Sequence, residues 1–221
     1  MKKIFCMLLF PLQLFAQFSK EEINRWQQEA GRVTLIRDNW GIPHVYGKSD
    51  ADAVFGLLYA QCEDDFKRVE MNYIEKLGRM AEVKGESSLY ADLLIRMIID
   101  SADAVADYKK SPLWLHKLLD AFADGINYYL FKNPGTKPVL LNRFKPWYPL
   151  LWTDGSIGAI STGDISEDEL KKFYTGNDTA VAEKKINEEE MLTGSNGFAF
   201  SPSITESHHS ILYINPHVTF Y

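Results

Sequence analysis

Cysteine is almost missing from this chain: 221 residues hold two, Cys6 and Cys62. Cys6 falls inside an N-terminal stretch built like a secretory leader. Met1-Lys2-Lys3 supplies positive charge, Ile4 to Phe15 is apolar, and Leu14-Phe15-Ala16 leads to a cleavage point before Gln17. Cys6 is not placed as a lipid-attachment cysteine would be. Removal of residues 1–16 leaves Cys62 alone, which excludes an internal disulfide. Cys62 reads as buried filler on a helix. No apolar run reaches the roughly 20 residues that a membrane-spanning helix needs, so no stable membrane anchor is expected. There is no run of lysine or arginine, and the net charge is −6. Both argue against a nucleic-acid groove. Export without disulfides suits a bacterial periplasm or secretion.

What is abundant is apolar and aromatic surface. Hydrophobic residues make up 46% of the chain and aromatic residues 13%, enough for one substantial core rich in Trp, Tyr and Phe.

Local signals give the element order. Ser19 with Glu22 has capping-box form and starts a helix. Val33 to Arg37 and Pro43 to Tyr46 read as two strands joined by a tight Asp38-Asn39-Trp40-Gly41 turn. Ser49 caps a helix that continues to Gly78, with Asp52 in its first turn and Val54, Leu57, Leu58, Phe66, Val69, Tyr73 and Leu77 at near-helical spacing. Further helices are predicted over Leu93 to Lys109 and Pro112 to Lys132, the latter capped by Ser111-Pro112 and stopped by Asn133-Pro134-Gly135. Lys137 to Trp152, rich in proline and aromatics, reads as an extended segment wrapping a core. Thr175 to Thr193 is polar and charged, as a solvated loop or helix face would be. Phe198 to Phe200 and Ile211 to Ile214 read as a hairpin.

Two motifs carry chemistry. Thr193-Gly194-Ser195-Asn196-Gly197-Phe198-Ala199-Phe200 sets a serine between glycines ahead of an apolar strand, and Asn215-Pro216-His217 follows. Gly-Ser-Asn alone is ordinary turn chemistry. A serine freed at a chain terminus, however, carries its own base. Its hydroxyl is a weak nucleophile until a base sits beside it, and an α-amine with a pKa of roughly 7.7–8.0 serves.

A second block, Val33-Thr34-Leu35-Ile36-Arg37-Asp38-Asn39-Trp40-Gly41-Ile42-Pro43-His44-Val45-Tyr46, precedes a helix holding Gly56-Leu57-Leu58-Tyr59-Ala60. In this order and separation, the two blocks resemble the penicillin acylase family of N-terminal-nucleophile hydrolases, which includes penicillin amidases and acyl-homoserine-lactone acylases. The resemblance implies an α+β fold, an αββα sandwich. Of it this chain would hold the mostly helical α-chain (17–174), a spacer (175–194) and the first hairpin of the β-chain (195–221), after the signal peptide (1–16). The resemblance further implies several hundred residues after Tyr221, so the chain is read as the N-terminal part of a precursor.

The site residues follow from the same resemblance. Ser195 would be the nucleophile, Gly194 the carbonyl donor of a self-cleaved Gly194–Ser195 bond, and Asn196 a positioning residue. His217, 22 residues beyond Ser195, would contact the hydroxyl and α-amine, as in the acyl-homoserine-lactone and cephalosporin branches. The oxyanion donors would lie beyond Tyr221. The substrate would be a small N-acyl amide, the partner the chain's own β-chain in an αβ heterodimer. No cofactor is required. A structural calcium is a possibility, with Glu167 the nearest match to an acidic ligand in the neighbourhood of Asp154, Asp164 and Asp168. Trp147, Tyr148, Trp152 and Phe173 are candidates for an apolar acyl pocket or for core. Asp38 and His44 suggest a Ser-His-Asp set with Ser195, but the block around them reads as structural, and Glu63, Asp64 and Asp65 as a solvated or salt-bridged helix face. His208 and His209 are taken as exposed. Two other readings remain open: an inactive truncated homologue, and an exported binding protein in which Gly-Ser-Asn is only a turn.

Overall fold

The computed structural model describes residues 18–98, 101–151, 165–176 and 195–216. The chain divides into two units, Met1–Trp152 and Thr153–Tyr221. Residues 1–17, with the expected leader, lie outside the described residues, as do Asp154, Asp164, most of the expected spacer, Gly194 and His217.

Each early element of the first unit starts where its local chemistry dictates. Helix α1 (Lys20–Ala30) opens on a closed capping box. Ser19 Oγ accepts the Glu22 N–H at 3.2 Å, and a Glu22 oxygen accepts the Ser19 N–H at 2.9 Å. This satisfies two of the donors that a helix start otherwise leaves unpaired. Strands β1 (Val33–Arg37) and β2 (Pro43–Gly47) pair antiparallel, with Leu35 opposite Val45. One Asp38 oxygen closes the turn by accepting the N–H of Trp40 at 2.8 Å and of Ile42 at 2.9 Å. Gly41 takes the left-handed φ of 81° that the turn requires.

Helix α2 (Asp50–Lys76) begins at Ser49, whose hydroxyl accepts the Asp52 N–H. It carries the hairpin on Gly56, where a side chain would meet Val33 Cγ1 and Val45 Cγ1 at 2.6 Å. The continuous helix expected to Gly78 is bent at Asp65, which leaves helical geometry (φ −157°, ψ 77°). Its carboxylate then accepts the Arg68 N–H at 3.0 Å and caps the second half from within. Leu57, expected on the apolar face, is exposed.

After the short α3 (Ala81–Lys84), the helix expected over Leu93 to Lys109 is two elements, α4 (Leu89–Ile98) and α5 (Ser101–Lys110). Asp100-Ser101, with Asp103 in the first turn of α5, is a helix-start signal inside that span. Ser111 does not cap α6 (Leu113–Lys132). Its hydroxyl donates back to the Asp107 carbonyl of α5, and Pro112 occupies the cap position. Asn133 ends α6, as expected.

The core lies between α2 and α6. Aromatic pairs Phe55–Tyr128, Phe66–Tyr129 and Tyr73–Phe122 join the two helices along their length. The segment after α6 wraps this core and buries Leu141, Phe144, Tyr148 and Leu151. Asn127 clamps it by exchanging two bonds with the Phe144 backbone, at 2.9 and 3.0 Å. Among the described residues no helix is long and apolar enough to cross a membrane.

The second unit contains α7 (Glu167–Thr175), β3 (Ser195–Phe200) and β4 (Ile211–Pro216). Helix α7 opens on another closed capping box, Ser166 with Glu169, a signal of the same form as Ser19 with Glu22. The expected α+β composition is present. The described strands form two separate two-stranded sheets, β1–β2 and β3–β4.

Candidate active site

The hairpin β3–β4 brings the two motif segments together by register. Ser195 pairs with Pro216, Asn196 with Asn215 and Gly197 with Ile214. The serine therefore heads β3 at the open end of the hairpin, beside the Asn-Pro pair that ends β4. Gly194 and His217 adjoin these two ends in sequence and lie outside the described residues.

The opposite end is the Ser201–Ser210 connection, with a 3₁₀ turn at Pro202–Ile204. His208 and His209 sit there, both exposed. Ser201, where that end begins, lies six positions beyond Ser195, roughly 20 Å at about 3.4 Å per residue. Neither histidine is within reach of the serine along the hairpin, in keeping with the reading of both as exposed.

Both faces of the hairpin are apolar. Cross-strand partners share a face. Phe198, Phe200, Tyr213 and Ile211 line one side, with Phe198 and Tyr213 ring centroids 6.0 Å apart. Ala199, Leu212 and Ile214 lie on the other. Leu212 is 68% and Ile214 61% exposed.

The Asp38–His44 pair of the first unit has a different role. His44 Nε2 lies 3.4 Å from Asp38 Oδ2, while the other Asp38 oxygen holds the turn. Partial desolvation raises the Asp38 carboxyl, but the Ile42 and Trp40 N–H donors and His44 outweigh it and hold the group below its ordinary range. Arg37 donates to the Gly41 carbonyl and pairs with Glu63 and Asp64 of α2. The block thus ties the hairpin to α2, and the Glu63-Asp64 face is salt-bridged.

Cys62 is 1% exposed, and burial pushes its thiol up to about 12. A protonated, enclosed thiol is no nucleophile at neutral pH. Of the pocket candidates, Tyr148 is buried core stacked on Tyr73, Trp147 packs against that core, and Phe173 is 76% exposed on α7. Trp152 lies outside the described residues.

Glu167 is the exposed first residue of α7, followed by Asp168. Among the described residues no three His, Cys, Asp or Glu side chains gather as metal ligands. The described part of the chain therefore does not form the six-to-eight-oxygen shell that calcium requires.

Sequence reasoning missed the buried acids. Glu70, Asp92 and Asp124 are each at most 7% exposed. Asp92 accepts the N–H groups of Met80 and Ala81 at 2.8 and 2.7 Å, and Asp124 accepts Trp26 Nε1–H at 2.6 Å.

Comparison with known proteins bears on the whole of this region. A family model described as penicillin amidase matches residues 32–221. Penicillin acylase 2 proenzyme from Pseudomonas sp. (strain SE83) is 29% identical over 120 residues, 53% of this chain and 16% of that protein. Acyl-homoserine lactone acylase QuiP from Pseudomonas fluorescens (strain Pf0-1) is 31% identical over 121 residues, 54% of this chain and 15% of that protein. The chain thus spans under a fifth of the length of these curated relatives. A solved thermostable penicillin G acylase from Alcaligenes faecalis aligns with a TM-score of 0.44 at 19% identity, over 67% of this chain and 76% of that one. With a family match running from β1 through the Ser195 hairpin, the chain belongs to the penicillin amidase family.

Proposed function

We propose that this chain carries the nucleophile segment of an amidohydrolase that frees Ser195 by cutting its own Gly194–Ser195 bond. The observation that carries the reading is the family match across residues 32–221, which includes Ser195 and its hairpin. The name proenzyme, borne by one relative, supports maturation by cleavage.

In this reading Ser195 Oγ attacks the Gly194 carbonyl, the peptide C–N bond breaks, and water hydrolyses the resulting ester. Glycine at position 194 removes the side-chain barrier to the strained geometry of that shift. Ser195 is then an N-terminal residue whose α-amine serves as the base for its own hydroxyl. Oγ attacks the carbonyl of an N-acyl substrate, the amine leaves with a proton, and water releases the carboxylic acid from the acyl-enzyme. Asn196 positions the serine, and His217 holds the hydroxyl and amine. The acyl-amide class follows the relatives' names, penicillin acylase and acyl-homoserine lactone acylase.

The two apolar faces of β3–β4 support the αββα sandwich. A strand pair covered on both sides has apolar residues on both, whereas an isolated two-stranded hairpin is marginal in water. After cleavage, residues 17–174 would form an α-chain held to a β-chain that begins at Ser195. The leader at 1–16 would place the pair in the periplasm or outside the cell.

N-terminal sequencing of the mature product of the complete reading frame, beside Ser195→Ala, tests this. Two chains, one beginning at Ser195 and both absent from the variant, are expected. A single uncut chain in both samples overturns the reading.

A further inference from the structure

Where α1 meets α2 and α6, three carboxylates face two guanidinium groups. Asp124 of α6 is paired with Arg25 at 2.6 Å and also accepts the Trp26 indole N–H at 2.6 Å. Asp52 of α2 is paired with Arg32 at 2.8 Å and accepts the Ser49 hydroxyl at 2.9 Å. Each aspartate thus has its own arginine. Glu29, near the end of α1, is the surplus acid, and its Oε2 is shielded from water with no hydrogen-bond partner.

A shielded, unpartnered carboxylate oxygen is costly when ionised and cheap when the group is protonated. Among the described residues, the cations whose charge acts on Glu29 are Arg25 and Arg32, each already paired with an aspartate. Asp120 of α6, bonded to Tyr108 of α5 at 2.6 Å and 3.6 Å from His116, adds negative charge beside Asp124. Elsewhere on α1, Glu22 is already matched by Arg143 at 2.8 Å. With Glu29 protonated, the set Arg25, Arg32, Asp52, Asp124 and Glu29 is electrically neutral.

We infer that the seating of α1 on α2 and α6 is coupled to one proton held at Glu29, so that the helix is clasped in mildly acidic surroundings and loosens as that proton leaves. This is independent of the reading of Ser195. The electrostatics agree in direction. Burial, and then Asp124, raise the Glu29 carboxyl to about 7, against the opposing pull of Arg25 and Arg32. Burial likewise raises Asp124, while the Trp26 indole and Arg25 bonded to it pull the other way and favour its ionised form.

The sign follows from linkage. A carboxyl raised on folding contributes stability that is complete below its unfolded value and is lost as pH rises through its folded value. Seating of α1 is therefore expected to weaken about tenfold between about pH 6 and about pH 8.

Hydrogen–deuterium exchange of the full chain at those two pH values, read as protection of the Trp26–Ala30 amides against those of α6, tests the clasp. The wild type should lose protection about tenfold, and Glu29→Gln, neutral at both values, should lose none. An equal loss in Glu29→Gln overturns the inference. A carbon-13 titration of the Glu29 carboxyl in the unaltered chain tests it without relying on the variant's folding. A midpoint near 7 supports it, and one in the ordinary glutamate range overturns it.

Discussion

Glu70 of α2 accepts the backbone N–H of Leu141 at 2.8 Å, across 71 positions of sequence. The same carboxylate takes the N–H groups of Leu140 at 2.7 Å and Val139 at 2.9 Å, and it is 1% exposed. Three backbone donors converge on one buried acid and hold the segment that closes the aromatic core. Glu70→Gln turns an amide NH₂ toward those donors and is expected to destabilise the chain by about 2–3 kcal/mol. A denaturant midpoint unchanged from wild type would show that the three N–H groups find other partners.

Gly125 of α6 lies against the Phe55 backbone of α2. A methyl group there would collide with the Phe55 carbonyl oxygen and press on Leu58 Cβ at 3.2 Å. Because the obstacle is backbone, the helices must part, and Gly125→Ala is expected to cost about 1–3 kcal/mol. Gly135, with nothing within 4 Å of the same added methyl and no left-handed φ, is the control. Gly135→Ala should be neutral or stabilising by up to about 1 kcal/mol. Equal thermal midpoints for the two variants would refute the close-approach account.

Cys62 should resist thiol reagents in the folded chain and react on unfolding. Its thiol stands at about 12 instead of 9.0 because burial disfavours the thiolate. Folded stability linked to this group is therefore complete below about pH 9 and lost as pH rises toward 12. Labelling with a chromogenic disulfide at neutral pH, with and without denaturant, checks it. Labelling at the same rate in both conditions would contradict the burial.

On the proposed mechanism, His217→Ala should slow amide hydrolysis by about a hundredfold, the usual scale for losing one acid–base or positioning partner. Thermal unfolding of the first unit should not change. An enzyme with undiminished hydrolysis would remove His217 from the site.

The parts of this protein that its sequence determined are those whose partners lie within a few residues. Ser19 with Glu22 and Ser49 with Asp52 set two helix starts, and Asp38 closes a turn on Trp40 and Ile42, because these side chains reach only nearby backbone. The existence of the β3–β4 hairpin is legible as well, but its register is not, because both faces are apolar and a shift by one residue would exchange one apolar face for the other. Ser166 with Glu169 carries the same capping signal, yet the acidic run at 167–169 equally invites a ligand reading. Ser111 shows the limit of such signals, since its hydroxyl can serve the helix behind it as well as the one ahead.

Tertiary structure alone decided which acids are buried. Glu70, Asp124 and Glu29 look like ordinary helix-surface residues in sequence, and their surroundings come from segments tens of residues away. Solvation is set by everything that packs around a group, so no local pattern shows that three N–H donors await Glu70 or that the arginines beside Glu29 are already paired with Asp124 and Asp52. The same holds for Gly56 and Gly125, whose missing side chains are needed only because another element lies against them.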